Sequence, residues 1–368
     1  MTLNDAIPPA ARQSWKREIT TGLTSSALWV KHLSTSAHAD PSAGGMPEPV
    51  GDLPPPDNLA GKGEVPRRRF GKSDAVVSAL ALGGYTFATA KTKTESIRIV
   101  HEAVDNGITF MDNAWDYNEG RSEKLMGEAL KGRRDKVFLM TKVCSHGRDK
   151  KVALKQLEDS LRRLKTDHLD LWQIHEVVYE NDPDLHFSPG GAGEALLKAR
   201  EQGKVRFIGF TGHKTPAIHK RMLAHDFPFD SVQMPLSGFD ANFRSFEREI
   251  LPILIQRGIA PIGMKSMNGT AEAIKQKIIT AADALRYAMS LPVTTTVSGM
   301  DSLAVLRKNL NVAKSFIPMT AEEKQAYRNK CAPFAGDGRF EWYKVSIYFD
   351  GAEGRKQHHF PSEEKVAA

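Results

Sequence analysis

The chain has 368 residues, of which 40 % are hydrophobic and 26 % charged, with a formal net charge of +7; this composition excludes wholesale disorder. Charges, Gly and Pro break every apolar run well short of the ~20 residues a membrane-spanning helix requires. Only two cysteines occur, Cys144 and Cys331, which excludes a disulfide framework, an iron–sulfur cluster and a four-cysteine zinc site.

Residues 1–66 carry five Lys/Arg against seven Asp/Glu, so the positive excess lies further along the chain. It is scattered over amphipathic segments without dense runs, a pattern that fits an anionic small molecule better than nucleic acid. The same 66 residues hold nine of the 20 prolines, including Pro54-Pro55-Pro56, and read as a disordered leader and linker. Lys16-Arg17, a mildly apolar stretch and Ala37-His38-Ala39 follow the order of a degenerate export signal. The leader reading makes the protein cytoplasmic; the alternative sends it to the periplasm.

From residue 67 the texture alternates. Short apolar runs at 77–83, 109–112, 137–142, 169–175, 206–210, 231–234, 260–264 and 294–297 predict eight strands. Helix-period segments follow them, such as Ile97, Val100, Val104 and Leu154, Leu157, Leu161, Leu164. Thr92 or Thr94 and Ser122 are candidate N-caps, and Gly107, Gly132, Gly203 and Gly258 stand where helices should stop. Val137-Phe138-Leu139-Met140 is continuously apolar, as in a parallel sheet covered on both faces.

Strict alternation leaves an open doubly wound sheet or a closed (β/α)₈ barrel, and eight strands favour closure. No G-x-G-x-x-G turn follows the first strand, at Gly83-Gly84-Tyr85-Thr86. The expected organisation is a leader over 1–66, an α/β TIM barrel over 67–331 and a C-terminal tail over 332–368 that packs on the barrel.

In such a barrel, side chains at the carboxyl ends of the strands converge on one face. Four polar residues qualify: Asp112, Tyr117, Lys142 and His175. A lysine closing Val-Phe-Leu-Met-Thr needs a carboxylate partner, because an unpaired buried ammonium costs several kcal/mol. Asp112, on the adjacent strand, supplies it. An ammonium beside Tyr117 should lower the phenol's pKa and make it a usable general acid, while His175 holds a carbonyl oxygen against it as hydride reaches the carbon.

The stretch Phe110-Met111-Asp112-Asn113-Ala114-Trp115-Asp116-Tyr117-Asn118-Glu119-Gly120-Arg121-Ser122-Glu123, followed by Leu125-Met126-Gly127, resembles the signature of the aldo-keto reductases. So do residues 169–175 (Leu-Asp-Leu-Trp-Gln-Ile-His) and 203–210 (Gly-Lys-Val-Arg-Phe-Ile-Gly-Phe), and the likeness extends over about residues 66–316. It implies a (β/α)₈ barrel, a catalytic tetrad at Asp112, Tyr117, Lys142 and His175, and a nicotinamide cofactor, NADPH in preference to NADH, lying across the barrel mouth. It further implies a cofactor site that includes Gly84 and Tyr85. Gln233 matches the glutamine that holds the nicotinamide carboxamide, and Gly212-His213 stands where Ser-Asn is common. Met264 takes the place of the usual stacking aromatic, followed by Lys265, Ser266 and Met267. Ser298, Gly299, Met300, Lys308 and Asn309 fall in the adenosine-phosphate segment, with Arg307 or Lys308 able to hold a 2′-phosphate.

The implied partner is a small carbonyl or alcohol, with Tyr85 and Trp115 as substrate-side aromatics. A nucleotide-sensing interaction protein on the same barrel, or a metal-dependent hydrolase, are the alternatives; no His-x-His pair at the first strand supports the latter, and no metal is expected. Other motifs have plainer readings. Cys144 with His146 is a chance pairing, Pro189-Gly190-Gly191-Ala192-Gly193 an ordinary helix-entry turn and His358-His359 a pair of tail residues. Arg67-Arg68-Arg69 reads as a solvated strand entry, and Trp342 and Tyr343 should pack on the barrel exterior.

Overall fold

The computed structural model describes residues 52–144 and 149–346. An antiparallel hairpin comes first, β1 (Arg67–Arg69) with β2 (Val76–Ser78), pairing Arg67 with Ser78 and Arg69 with Val76. Eight parallel strands follow: β3 (Leu80–Gly83), β4 (Phe110–Met111), β5 (Phe138–Val143), β6 (Leu169–Ile174), β7 (Val205–Thr211), β8 (Ser231–Pro235), β9 (Ala260–Met264) and β10 (Thr295–Gly299). They join in chain order, and β10 closes on β3 with Ser298 opposite Leu82. The fold is thus the closed (β/α)₈ barrel that the strand count implies.

The strands are buried on both faces because one looks into the barrel and the other meets helices. All six residues of β5 are buried. The helix Lys150–Leu164 shows the covering layer: Leu157, Leu161 and Leu164 face the sheet, and Asp149 caps the first turn by accepting the Lys151 and Val152 amides. Thr92, of the two candidates, caps the helix Lys93–Asp105. Gly258 closes Leu251–Arg257 at φ 66°, a left-handed conformation that favours glycine.

The amino end of the barrel is plugged. Phe70, carried by the β1–β2 turn, lies 4.9 Å from the Phe138 ring and 5.0 Å from Phe207, in one apolar cluster with Val77, Phe110, Met140 and Leu171.

Several sequence expectations need correction. The predicted strand 77–83 divides at Ala79, where the chain passes from hairpin to barrel: the Ala79 amide donates to Pro66 O, and Ser78 Oγ donates to Leu80 O. Arg68 is no solvated entry residue; it is buried by the alternation of β1 and donates to Val293 O (2.8 Å) and Met289 O (2.7 Å). Ser122 is not an N-cap; Gly120 takes that place, and Ser122 Oγ donates to Gly84 O at 2.7 Å.

Part of the expected linker also packs down: Asp52 pairs with Arg328 at 2.8 Å, and Lys324 donates to Leu53 O. The export-like residues, His146 and His358-His359 lie outside the described residues.

The described part of the tail, residues 332–346, lies against the barrel, and Tyr343 is not on its exterior. Past the helix Ala321–Cys331 the chain returns over the loops that leave β7, β8 and β9. Lys344 is buried between Asp240 (2.6 Å) and Glu341 (3.0 Å), and Lys214 donates to Ser346 O. These ion pairs draw Tyr343 inward, against His213 (ring centroids 5.6 Å) and beneath Lys265 Nζ (4.9 Å to the ring). Trp342 remains half-buried.

Candidate active site

Asp112 follows β4 and still extends its ladder, its amide donating to Leu82 O at 3.0 Å. Lys142 lies one residue before the end of β5. His175 continues β6, donating to Val143 O at 2.8 Å. Tyr117 is delivered by the loop after β4, which reverses through three consecutive left-handed residues, Asn118, Glu119 and Gly120 (φ 52°, 57° and 76°). Two of these are not glycine, a local cost of roughly 1–3 kcal/mol each that the surrounding contacts must offset.

The four side chains meet at the carboxyl end of the barrel. Lys142 Nζ, 1 % exposed, donates to Asp112 Oδ1 (2.6 Å), Asn113 O (2.7 Å) and Tyr117 OH (3.2 Å). Asp112 also accepts from the Gly84 amide (3.3 Å) and Gln233 Nε2 (3.4 Å). Glycine at 84 is a steric requirement, since a Cβ there would sit 2.3 Å from Asp112 O. The Tyr117 ring lies 5.5 Å from the His175 ring, and Tyr85 packs edge-on against it at 5.6 Å.

The electrostatics reverse one expectation. Burial pushes the Tyr117 phenol well above its ordinary range, and Asp112, Asp116, Glu176 and Cys144 push it further. Lys142, whose charge is paired with Asp112 at 2.6 Å, does not outweigh burial and these negative groups. The phenol is held protonated.

Three residues not singled out as site candidates belong to the same neighbourhood. Asp116 Oδ1 accepts from the Cys144 thiol at 3.1 Å and lies 3.2 Å from His175 Nδ1, which is itself 3.3 Å from Cys144 Sγ. Cys144 therefore pairs with His175 and Asp116. Burial raises its thiol pKa well above the usual value, and Asp116 adds to this. Glu176, at φ 52°, pairs with His213 Nε2 at 3.1 Å. The signal for Cys144 was present in sequence: two residues beyond Lys142 on an extended chain, it shares that lysine's face.

The residues implied for the cofactor line the same end. Gln233 Oε1 is buried with no partner among the described residues, an acceptor available to an amide N–H. His213 is buried against Tyr343 and Glu176, and that burial holds its pKa down at about 4, so it is neutral near pH 7. Met264 is half-buried at the end of β9; Lys265 turns the chain at φ 55°; Ser266 is buried and Met267 packs on the core. A Cβ at Gly212 would meet His219 and Val177, and one at Gly299 the Thr86 side chain, within 2.8 Å.

Around β10 the assignments separate. Met300 is buried and its amide donates to Thr86 Oγ1 at 2.9 Å, while Asn309 Nδ2 donates to Ser298 Oγ at 3.1 Å. Arg307 pairs with Glu102 at 2.6 Å, which leaves the exposed Lys308 as the basic side chain of that pair without this carboxylate. Trp115 stacks under the Arg163 guanidinium (5.3 Å), tying it to the helix Lys150–Leu164. The 189–193 turn is an ordinary helix entry: Glu194 occupies it by accepting the Gly190 amide at 2.9 Å.

The sequence model of the Aldo/keto reductase family matches residues 79–272, more than half of the chain. The chain belongs to the aldo/keto reductase family. That family consists of oxidoreductases that use nicotinamide cofactors, so this aldo/keto reductase is an oxidoreductase. It is 26 % identical over 307 residues to the "Uncharacterized oxidoreductase YqkF" of Bacillus subtilis, covering 72 % of this chain and 95 % of that protein. It is 34 % identical over 170 residues to a 6-dehydroglucose reductase of Novosphingobium aromaticivorans, covering 41 % of this chain and 54 % of that one. Among solved structures, the holo form of an aldo-keto reductase from Bacillus halodurans superposes with a TM-score of 0.60 at 25 % identity, covering 75 % of this chain and 99 % of that chain. A glycerol dehydrogenase from Gluconobacter oxydans shares the fold, with a TM-score of 0.59 at 22 % identity over 73 % of this chain and 95 % of its own. Among the described residues no helix is long and apolar enough to cross a membrane.

Proposed function

We propose that this aldo/keto reductase is an NAD(P)H-dependent enzyme interconverting a carbonyl and an alcohol, with Tyr117 as the general acid and base. The observation that carries this reading is the placement of Lys142 Nζ between Asp112 (2.6 Å) and the Tyr117 hydroxyl (3.2 Å), with His175 beside the same ring.

The residues present fit a nicotinamide. Gln233 Oε1 supplies a buried acceptor, without a partner among the described residues, for its carboxamide. Met264 is polarisable enough to pack on the ring. Lys308 would hold a 2′-phosphate, which favours NADPH over NADH.

Bound NAD(P)H supplies the hydride. Tyr117, kept protonated by its surroundings, donates its proton to the substrate oxygen, and the Lys142 hydrogen bond stabilises the phenolate left behind. Asp112 fixes Lys142. His175 provides a second hydrogen bond that holds the oxygen as negative charge develops on it. Tyr85 and Trp115 flank the substrate side. The Novosphingobium relative's name places sugar carbonyls beside simple aldehydes and ketones as substrates to try. The reading is completed by a barrel over 67–331 with its tail over 332–368, working in the cytoplasm.

The test is direct. The purified chain is titrated with NADPH and NADH and then assayed on aldehydes, ketones and sugars. The expected result is tighter NADPH binding and coenzyme oxidation with at least one carbonyl; tight binding with silence across the whole panel overturns the proposal.

A further inference from the structure

Asp116, Cys144 and His175 come from three separate segments and bring an oxygen, a sulfur and a nitrogen into one small triangle with edges of 3.1, 3.2 and 3.3 Å. All three residues are buried. Among the described residues this is a donor set able to hold a metal ion.

The triangle has the dimensions of a tetrahedral face. Zinc takes thiolate, imidazole and carboxylate donors at about 2.0–2.3 Å, which places the edges of a regular tetrahedron at about 3.3–3.8 Å. Closing on an ion therefore requires an expansion of only a few tenths of an ångström.

The donors are also anchored before any ion arrives. Gln156 brackets Cys144, its Oε1 accepting the Cys144 amide at 2.8 Å and its Nε2 donating to the Cys144 carbonyl at 3.3 Å. His175 is fixed through its amide to Val143 O, and the Asp116 carbonyl accepts the Glu119 amide at 3.0 Å.

Charge decides the class of ion. A thiolate and a carboxylate carry two negative charges, which a divalent cation neutralises, and the sulfur selects a thiophilic metal over Mg²⁺ or Ca²⁺. Glu176 adds negative charge to the neighbourhood. Lys142 opposes an incoming cation, but its ammonium is already paired with Asp112.

We propose that Asp116, Cys144 and His175 form a binding site for one thiophilic divalent cation, zinc being the fitting ion, and that occupancy arrests the enzyme by fixing the His175 imidazole. The thiol releases its proton as the metal–sulfur bond forms, and no electron transfer is involved. The fourth coordination position is left for water. The site itself stands apart from the proposed function; only the arrest rests on it.

The probe is Co²⁺ added to chelator-treated full-length protein, followed by displacement with Zn²⁺. The expected result is one equivalent bound with a near-ultraviolet thiolate-to-cobalt charge-transfer band that Zn²⁺ abolishes. Cys144→Ser should lose the band, and Asp116→Asn should weaken binding at least tenfold, each with an unchanged far-ultraviolet circular dichroism spectrum. Tyr117→Phe should keep both band and stoichiometry. Absence of the band in the parent protein overturns the site. So does its persistence in Cys144→Ser, which would assign it to Cys331, the only other cysteine in the sequence. Arrest is read separately: one equivalent of Zn²⁺ should lower carbonyl turnover at least tenfold, reversibly with chelator, and full turnover of zinc-loaded protein overturns it. A protein inactive on every carbonyl yet showing the cobalt band would sink the proposed function and leave the metal site standing.

Discussion

The two ends of the barrel are built from opposite materials. At the amino end Phe70, Phe110, Phe138 and Phe207 stack into a dry plug, with ring centroids 4.9–5.9 Å apart. At the carboxyl end Asp112, Lys142, Tyr117, His175, Asp116 and Cys144 form a buried polar cluster held by hydrogen bonds. The plug depends on burial and shape and tolerates no water. The polar end depends on each charge having a partner, and among the described residues it leaves groups such as Gln233 Oε1 unmatched. The amino end is held by apolar packing, and the carboxyl end carries the chemistry proposed above.

Lys142→Ala should break this division most severely, because it leaves Asp112 buried without its ammonium. The expected cost is about 3–5 kcal/mol by chemical denaturation, together with at least a hundredfold loss of turnover. Near-normal turnover would show that the polar end is structural. Phe70→Ala is the counterpart at the plug: a loss of about 3–5 kcal/mol in stability, with turnover per folded molecule retained. A large fall in kcat with little change in stability would contradict the separation of the two ends.

A smaller effect lies in pH. His213 has its folded-state pKa depressed from 6.5 to about 4 by burial. Below pH 6.5 the unfolded chain therefore binds a proton that the folded chain refuses, and the stability associated with neutral His213 is lost as pH falls from 6.5 toward 4. The linkage amounts to about 3 kcal/mol at most. Melting temperatures across that window should fall less steeply in His213→Asn than in the parent; parallel curves would refute the assignment. The smallest predicted effect is Lys308→Ala, which should weaken NADPH binding by up to roughly tenfold while sparing NADH, since a single exposed phosphate contact contributes about 1 kcal/mol. Equal loss for both coenzymes would remove Lys308 from the 2′-phosphate.

The sequence exposed the barrel because each of its strands is a local signal. The run at 137–140 is continuously apolar, and β9 spans the predicted residues 260–264. The Asp112, Tyr117, Lys142 and His175 positions were legible for the same reason, each being polar at or just beyond a strand exit. What stayed hidden is non-local. Asp116 meets Cys144 across 28 residues and His175 across 59, and no spacing rule brings those segments together. The hairpin β1–β2 was concealed because Val76–Ser78 runs into Leu80–Gly83 with no Gly, Pro or charged residue between them. Tyr343 was misplaced because its burial follows from the ion pairs of Lys344 with Asp240 and Glu341, partners up to 104 residues away. The sign of the Tyr117 shift failed because its largest cause is burial, which no residue spacing displays, with Asp112, Asp116 and Glu176 adding to it against the neighbouring Lys142.

The most direct test is Tyr117→Phe, assayed for carbonyl reduction and titrated with NADPH in the same preparation. Loss of the hydroxyl should lower turnover by at least about a hundredfold while leaving the NADPH dissociation constant and the melting temperature nearly unchanged. Carbonyl reduction at the parent rate would contradict the role assigned to the phenol and, with it, the account of this end of the barrel.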